Sequence, residues 1–148
     1  MEPLIGSWSL IVENIRPDGS VQVTDAEWHF SWALGGRAVV DVWISPSRHN
    51  APPAGPEEWG MSVRFYDESI ERIRSTWHGP HRGWVIPFLA RATGDEITLD
   101  GEHDGLDVRW TFSGITQHSF KWRAAERPPG GEWRVRQQFA ATRVAAGS

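Results

Sequence analysis

Apolar and polar residues alternate one for one through most of this chain, and almost nothing in it repeats with a helical period. Trp28, Phe30 and Trp32 alternate with His29 and Ser31, and Leu106, Val108, Trp110 and Phe112 with Asp107, Arg109 and Thr111. Phe120 and Trp122 alternate with Lys121 and Arg123, and Trp133, Val135 and Phe139 with Arg134, Arg136 and Gln138. A period of two puts successive side chains on opposite faces of a pleated strand, so these segments read as half-buried antiparallel strands. Turn formers separate them: Pro17-Asp18-Gly19, Gly35-Gly36, Thr93-Gly94-Asp95, Gly101 to Gly105, Ser113-Gly114 and Pro128-Pro129-Gly130-Gly131. The pattern predicts about ten strands, near 5–13, 21–33, 37–44, 60–66, 70–78, 83–92, 95–100, 106–112, 118–125 and 132–143. Only Pro56-Glu57-Glu58-Trp59 reads as helical, one turn inside a loop.

A meander of hairpins leaves an unpaired strand at each end, and closing the sheet on itself removes both edges. The expected fold is therefore all-β, a closed antiparallel up-and-down barrel. A two-sheet sandwich is the alternative, but its crossovers need long connections. The one long connection, Ser45 to Glu58, is rich in Pro and Gly and reads as a flap at a barrel mouth. Residues 1–143 read as one domain, and 144–148 as a flexible tail.

The 148 residues include no Cys, which excludes disulfides, thiolate zinc sites, iron–sulfur clusters and thiol nucleophiles. A net charge of −4 and a pI near 5.8 argue against nucleic acid as a partner. No stretch approaches the roughly 18 apolar residues of a membrane span, and the start lacks the features of a secretory signal. A cytoplasmic location is the expectation. Nucleophile elbows, phosphate loops and dinucleotide fingerprints are absent from the sequence. His78-Gly-Pro-His81 would need His49 or His103 to converge on it to bind a metal, and no regular spacing brings them together, so no metal and no cofactor are expected.

Gly6-Ser7-Trp8, at the head of the first strand, resembles the Gly-X-Trp signature of the lipocalins and their calycin relatives. The resemblance implies that Trp8 plugs the closed end of the barrel, with Arg143 of the last strand stacked on its indole. Six further segments, 36–44, 63–67, 73–77, 94–97, 109–112 and 119–122, resemble a branch of small bacterial lipocalin-like proteins. Haem, as in the nitrobindin branch of ten-stranded barrels, would need an interior His, and His118 beside a turn is a poor match.

In a barrel the apolar parity faces inward. Interior candidates are Trp28, Trp43, Trp77, Trp84, Trp110, Trp122 and Trp133, with Phe65, Phe88, Phe112, Phe120 and Phe139. The basic residues at 64, 72, 74, 109, 121, 123, 134 and 136 are expected mostly on the solvated outer face. The lipocalin resemblance implies one exception, an interior Arg holding a ligand carboxylate. Rings on this scale either fill a small barrel or line a pocket. Ten Trp against one Tyr favours the pocket, because each indole N–H wants a partner that a dry core does not supply.

Three polar residues stand out on apolar stretches: Asp41 within Val39-Val40-Asp41-Val42-Trp43, Ser75 between Ile73 and Trp77, and Gln137 between Val135 and Phe139. Two functions of different class follow. The first is binding of a small, mostly apolar or aromatic ligand by walls of Trp43, Trp77, Trp84, Trp110, Trp122 and Phe88, with Asp41, Ser75 and Gln137 fixing its orientation. The second is a cofactor-free isomerase or cyclase acting on a polyketide-like substrate. There Asp41, its pKa shifted by burial, serves as acid/base and His29 as the outside candidate. His29 lies on the opposite parity to Trp28, which favours a solvated side chain. A solid barrel acting as an interaction module is the third option, and the sequence leaves monomer and homodimer both open.

Overall fold

The computed structural model describes residues 1–48 and 57–145. Ten strands carry the chain: β1 Gly6–Ile15, β2 Val21–Ala33, β3 Ala38–Ser45, β4 Glu58–Asp67 and β5 Arg72–Gly79. β6 Trp84–Thr93, β7 Glu96–His103, β8 Leu106–Ser113, β9 Ser119–Arg127 and β10 Arg134–Arg143 complete the set. Each pairs antiparallel with its sequence neighbours, and β1 pairs with β10 from Trp8↔Arg143 to Asn14↔Gln137. The sheet is a closed barrel, so every strand has two partners and no edge is left open. Short 3₁₀ turns at Glu2–Leu4 and Leu34–Gly36 are the helical elements among the described residues. The expected helical turn is corrected here: Glu58 and Trp59 already belong to β4, and Pro56 lies outside the described residues.

One end is filled. Trp8 packs edge-on against Phe120, with ring centroids 4.6 Å apart, and Phe112 stacks beneath Trp28 at 5.3 Å. Leu4, Leu10, Val12 and Leu99 close the gaps between the rings. The other end is hollow. The boundary between the two halves runs through Trp28 and Trp122, whose rings meet at 89°.

β4 departs from the expected polarity. Its inward residues are Gly60, Ser62 and Arg64, and its outward ones Trp59, Met61, Val63 and Phe65. Arg64, expected in solvent, is 1% exposed, whereas Phe65, expected inside, is 44% exposed. The inversion is made feasible by Asp41 on neighbouring β3, which gives the buried guanidinium a counter-charge. Trp133 is also corrected: it precedes β10, and the guanidinium groups of Arg109 and Arg127 each lie over its ring, 4.6 Å from the centroid.

The described part of the long connection does not lie over the mouth. Ser45 Oγ donates to Asp25 O, Ser47 N to Asp25 Oδ1, and Arg48 binds Glu27 through its amide and guanidinium, which folds residues 45–48 back along β2. The middle of the expected flap, 49–56, lies outside the described residues. So do 146–148 of the expected tail, while Val144 N still donates to Ser7 O at 2.8 Å.

Candidate functional site

The hollow end holds a cavity of about 440 Å³ opening between the β1–β2, β5–β6, β7–β8 and β9–β10 turns. Six indoles line it: Trp28, Trp43, Trp77, Trp84, Trp110 and Trp122, with Ile86, Val108 and Ala124 between them. Contacts between the rings fix their planes. Trp43 meets Trp28 at 86°, Trp77 meets Trp110 at 77°, and Trp122 stacks on Phe139 with centroids 4.9 Å apart. Gly60 provides the slot for Trp77. A side-chain carbon there would collide with the Trp77 six-membered ring and come within 2.8 Å of His78 O.

All five Trp expected as walls line this cavity, and Gln137 joins them at the rim. Gln137 Nε2 donates to Asn14 Oδ1 at 2.8 Å, which sets the orientation of its amide. Phe88 does not line the cavity; it packs behind Trp110 at 4.4 Å. Ser75 is buried below, accepting from Arg64 Nε at 3.0 Å. Asp41 is also below the floor and fully buried. Its Oδ1 accepts the Trp28 indole N–H at 2.7 Å, and its Oδ2 binds Arg64. Burial pushes the Asp41 carboxyl up, and the Arg64 guanidinium, the Trp28 N–H and the Ser62 amide pull against it. His29 is on the outer wall, with Nδ1 2.7 Å from Ser7 Oγ and Nε2 2.8 Å from Glu27 Oε1. Neither acid/base candidate reaches the cavity.

Several site residues were not legible in the alternation. Trp28 is a wall as well as an interior ring, and Gly60 shapes another. Arg136, expected outside, sits where the β9–β10 register shifts between Val135 and Gln137 and lines the rim, paired with Glu126 at 2.7 Å. Arg16, Arg82, Glu58 and His103 complete the rim, and the Arg82 guanidinium lies over Trp84 at 4.8 Å. Trp122 Nε1 is buried with no hydrogen-bond partner among the described residues.

No protein-family pattern matches the chain, and no curated protein matches it. Solved structures do. Rv2717c from M. tuberculosis is 14% identical with a TM-score of 0.66, over 97% of this chain and 94% of the other. The S-type phycobiliprotein lyase CPES from Guillardia theta is 11% identical with a TM-score of 0.63, over 98% and 90%. EF1p2_mFAP2b, solved bound to DFHBI, is 13% identical with a TM-score of 0.51, over 97% and 95%. With ten strands closed in sequence order, these likenesses decide the fold. This chain has a lipocalin-like barrel fold.

In this lipocalin-like barrel the closed end matches the sequence expectation. Arg143 lies over the Trp8 ring, 4.2 Å from its centroid, and the Trp8 N–H donates to Leu4 O at 2.9 Å. Arg64 is an interior Arg, but it does not line the cavity, where the resemblance implied one that holds a ligand carboxylate; it engages Asp41 and Ser75 below the floor. Among the described residues no three His, Asp or Glu side chains converge to hold a metal ion; His49 lies outside them. His118 is exposed in the β8–β9 turn, at the end opposite the cavity. Among the described residues no helix is long and apolar enough to cross a membrane.

Proposed function

We propose that this lipocalin-like barrel binds one small, largely apolar and aromatic molecule in the Trp-lined cavity at its open end. The observation that carries the reading is the ring of six indoles around a cavity of about 440 Å³, a volume within the range of small-molecule sites. Such walls offer large flat faces to a conjugated ligand at little cost in side-chain freedom. The polar groups sit at the rim, so a ligand would enter with its apolar body inward and any polar group toward Gln137, Arg16, Arg82 and Arg136. Among barrels of this fold, one was solved with DFHBI bound, which supports the reading.

Binding is preferred over an isomerase or cyclase because of where the acid/base candidates lie. A general acid or base must come within hydrogen-bond reach of the substrate, directly or through one water. Asp41 is committed to Trp28 and Arg64 beneath the floor, and His29 is on the outer wall.

Titration of intrinsic Trp fluorescence with a chemically diverse panel of aromatic compounds tests the proposal. The expected result is saturable quenching at one ligand per chain, weakened by Trp110→Ala. A flat response across the panel, from protein with an intact thermal transition, overturns it.

A further inference from the structure

The inverted strand β4 points to a second functional surface on the outside of the barrel. Its four outward residues, Trp59, Met61, Val63 and Phe65, are all apolar. On one side β3 adds Val40 and Val42, and on the other, across β5, β6 adds Val85, Pro87 and Leu89. The pairing registers align them in rows, Val42–Met61–His78–Val85 and Val40–Val63–Thr76–Pro87. Trp59, Met61, Phe65, Val42, Val85 and Leu89 are each at least 38% exposed. The opposite wall is different in kind, carrying the Asp100–Arg109 and Asp107–Arg127 ion pairs with Lys121 and Arg123.

Apart from Asp41 within β3 and Arg91 and Thr93 at the end of β6, both strands are apolar or small along both faces from Ala38 to Ile44 and from Trp84 to Ala90, a pattern that belongs to strands covered on both sides. Among the described residues only one side is covered. We propose that a second copy of this chain covers the other, through a two-fold interface of β3–β6 against β3–β6. Three arguments select a second copy. The four strands at about 4.8 Å spacing, each with up to four outward rows at about 6.8 Å, present a footprint on the order of 500 Å². Two such footprints reach the roughly 1,000 Å² of a biological interface. The central rows of the face carry no charge with which to select a charged partner: its cations, Arg72, Arg74 and Arg91, lie toward the Asp67 end of the strands, where Asp67 holds Arg74 at 2.7 Å. A closed two-fold contact also requires one patch complementary to itself, and aligned rows of medium-sized apolar side chains packing sheet on sheet meet that requirement.

Sedimentation velocity on the full chain tests this independently of ligand binding in the cavity. The expected species has twice the 16.7 kDa mass of one chain. Met61→Lys sets like charges close to one another across the two-fold and should raise the dimer dissociation constant about 100-fold. Val85→Lys should act in the same direction, and it carries the test if the Met61 variant fails to fold. Ile11→Lys, at an exposed apolar position on β1 flanked by Asp25 and Ala140, should leave the dimer intact. A monomer up to millimolar concentration overturns the proposal. So does a dimer that survives both the Met61 and Val85 substitutions, or one that Ile11→Lys disrupts equally.

Discussion

The Trp28 indole N–H donates to Asp41 Oδ1 at 2.7 Å, joining the floor of the cavity to a buried ion pair below it. Trp28 stands on β2, Asp41 on β3 and Arg64 on β4, so a single carboxylate ties three consecutive strands where the hollow half meets the filled half. Removing one member of a buried pair strands the other without a partner, and that loss exceeds the net worth of the pair itself. Asp41→Ala should therefore destabilise the fold by about 3–5 kcal/mol. Adding Arg64→Met should restore at least half of that, because the orphaned charge is then gone. Urea unfolding of the single and double variants checks both, and equal losses in the two would show that the ion pair is not the source.

Gly60 and Trp77 make the second prediction. With no side chain at 60, the edge of the Trp77 six-membered ring reaches the inner face of β4, and the ring forms one wall of the cavity. Gly60→Ala would push that ring into the space a ligand needs. Affinity for any ligand found by fluorescence should fall about 10–100-fold, the range of a lost aromatic anchor. The stability cost should stay near 1–3 kcal/mol, typical of overpacking. Parallel ligand titration and thermal melts distinguish the two effects.

The ten strands were legible in the sequence because alternation and turn chemistry are local signals, and the barrel followed from the need to close two edges. The five expected Trp walls came from the same parity. Where parity failed, a non-local partner or a register change was responsible. Arg64 is buried because Asp41, 23 positions earlier, lies beside it across the β3–β4 ladder, and no window of alternation contains both. Phe65 was therefore assigned to the wrong face with it. Arg136 reaches the rim because the β9–β10 register shifts at that point, and Trp133 sits outside because it belongs to the preceding turn. Gly60 carries no signal of its role in the sequence, since the ring it accommodates arrives from β5.

Glu27 makes stability depend on pH in a defined direction. Its burial would push the carboxyl up, but Arg48, through guanidinium and amide, and His29 outweigh that and hold it at about 2, below the ordinary 4.5. A pKa lowered by folding stabilises the native state above the unfolded-state value, and that stabilisation is lost as pH falls from about 4.5 to 2. Asp67, held at about 2 by Ser69 and Arg74, titrates in the same window, so the comparison between proteins is the informative one. Glu27→Gln should be less stable than wild type at pH 7, and the gap should narrow as pH falls through this window. Denaturation midpoints measured from pH 7 down to pH 2 give the difference directly. A gap that does not change with pH would separate Glu27 from the acid response.

Arg143 ties the N-terminal segment and the β8–β9 turn to the closed end, and its contacts predict a loss of stability without a loss of binding. Its Nε donates to Gln117 O at 2.6 Å, Nη1 to Ile5 O at 2.6 Å and Nη2 to Pro3 O at 2.9 Å, while its guanidinium covers Trp8. Replacement by Ala would strip three carbonyls of a charged donor and uncover the indole, at a cost of about 2–4 kcal/mol. Lys supplies the charge without the planar fork, so Arg143→Lys should recover only part of that. Gly6 offers an independent approach. Its φ of +130° disfavours any side chain, and a carbon added there would collide with the Arg143 guanidinium, so Gly6→Ala should reproduce much of the Arg143→Ala loss. Because the cavity opens at the opposite end, ligand affinity per folded chain should be unchanged in all three variants. A fall in affinity that tracks the fall in stability would mean that the two ends of the barrel are coupled through the ring stack from Trp8 to Trp28.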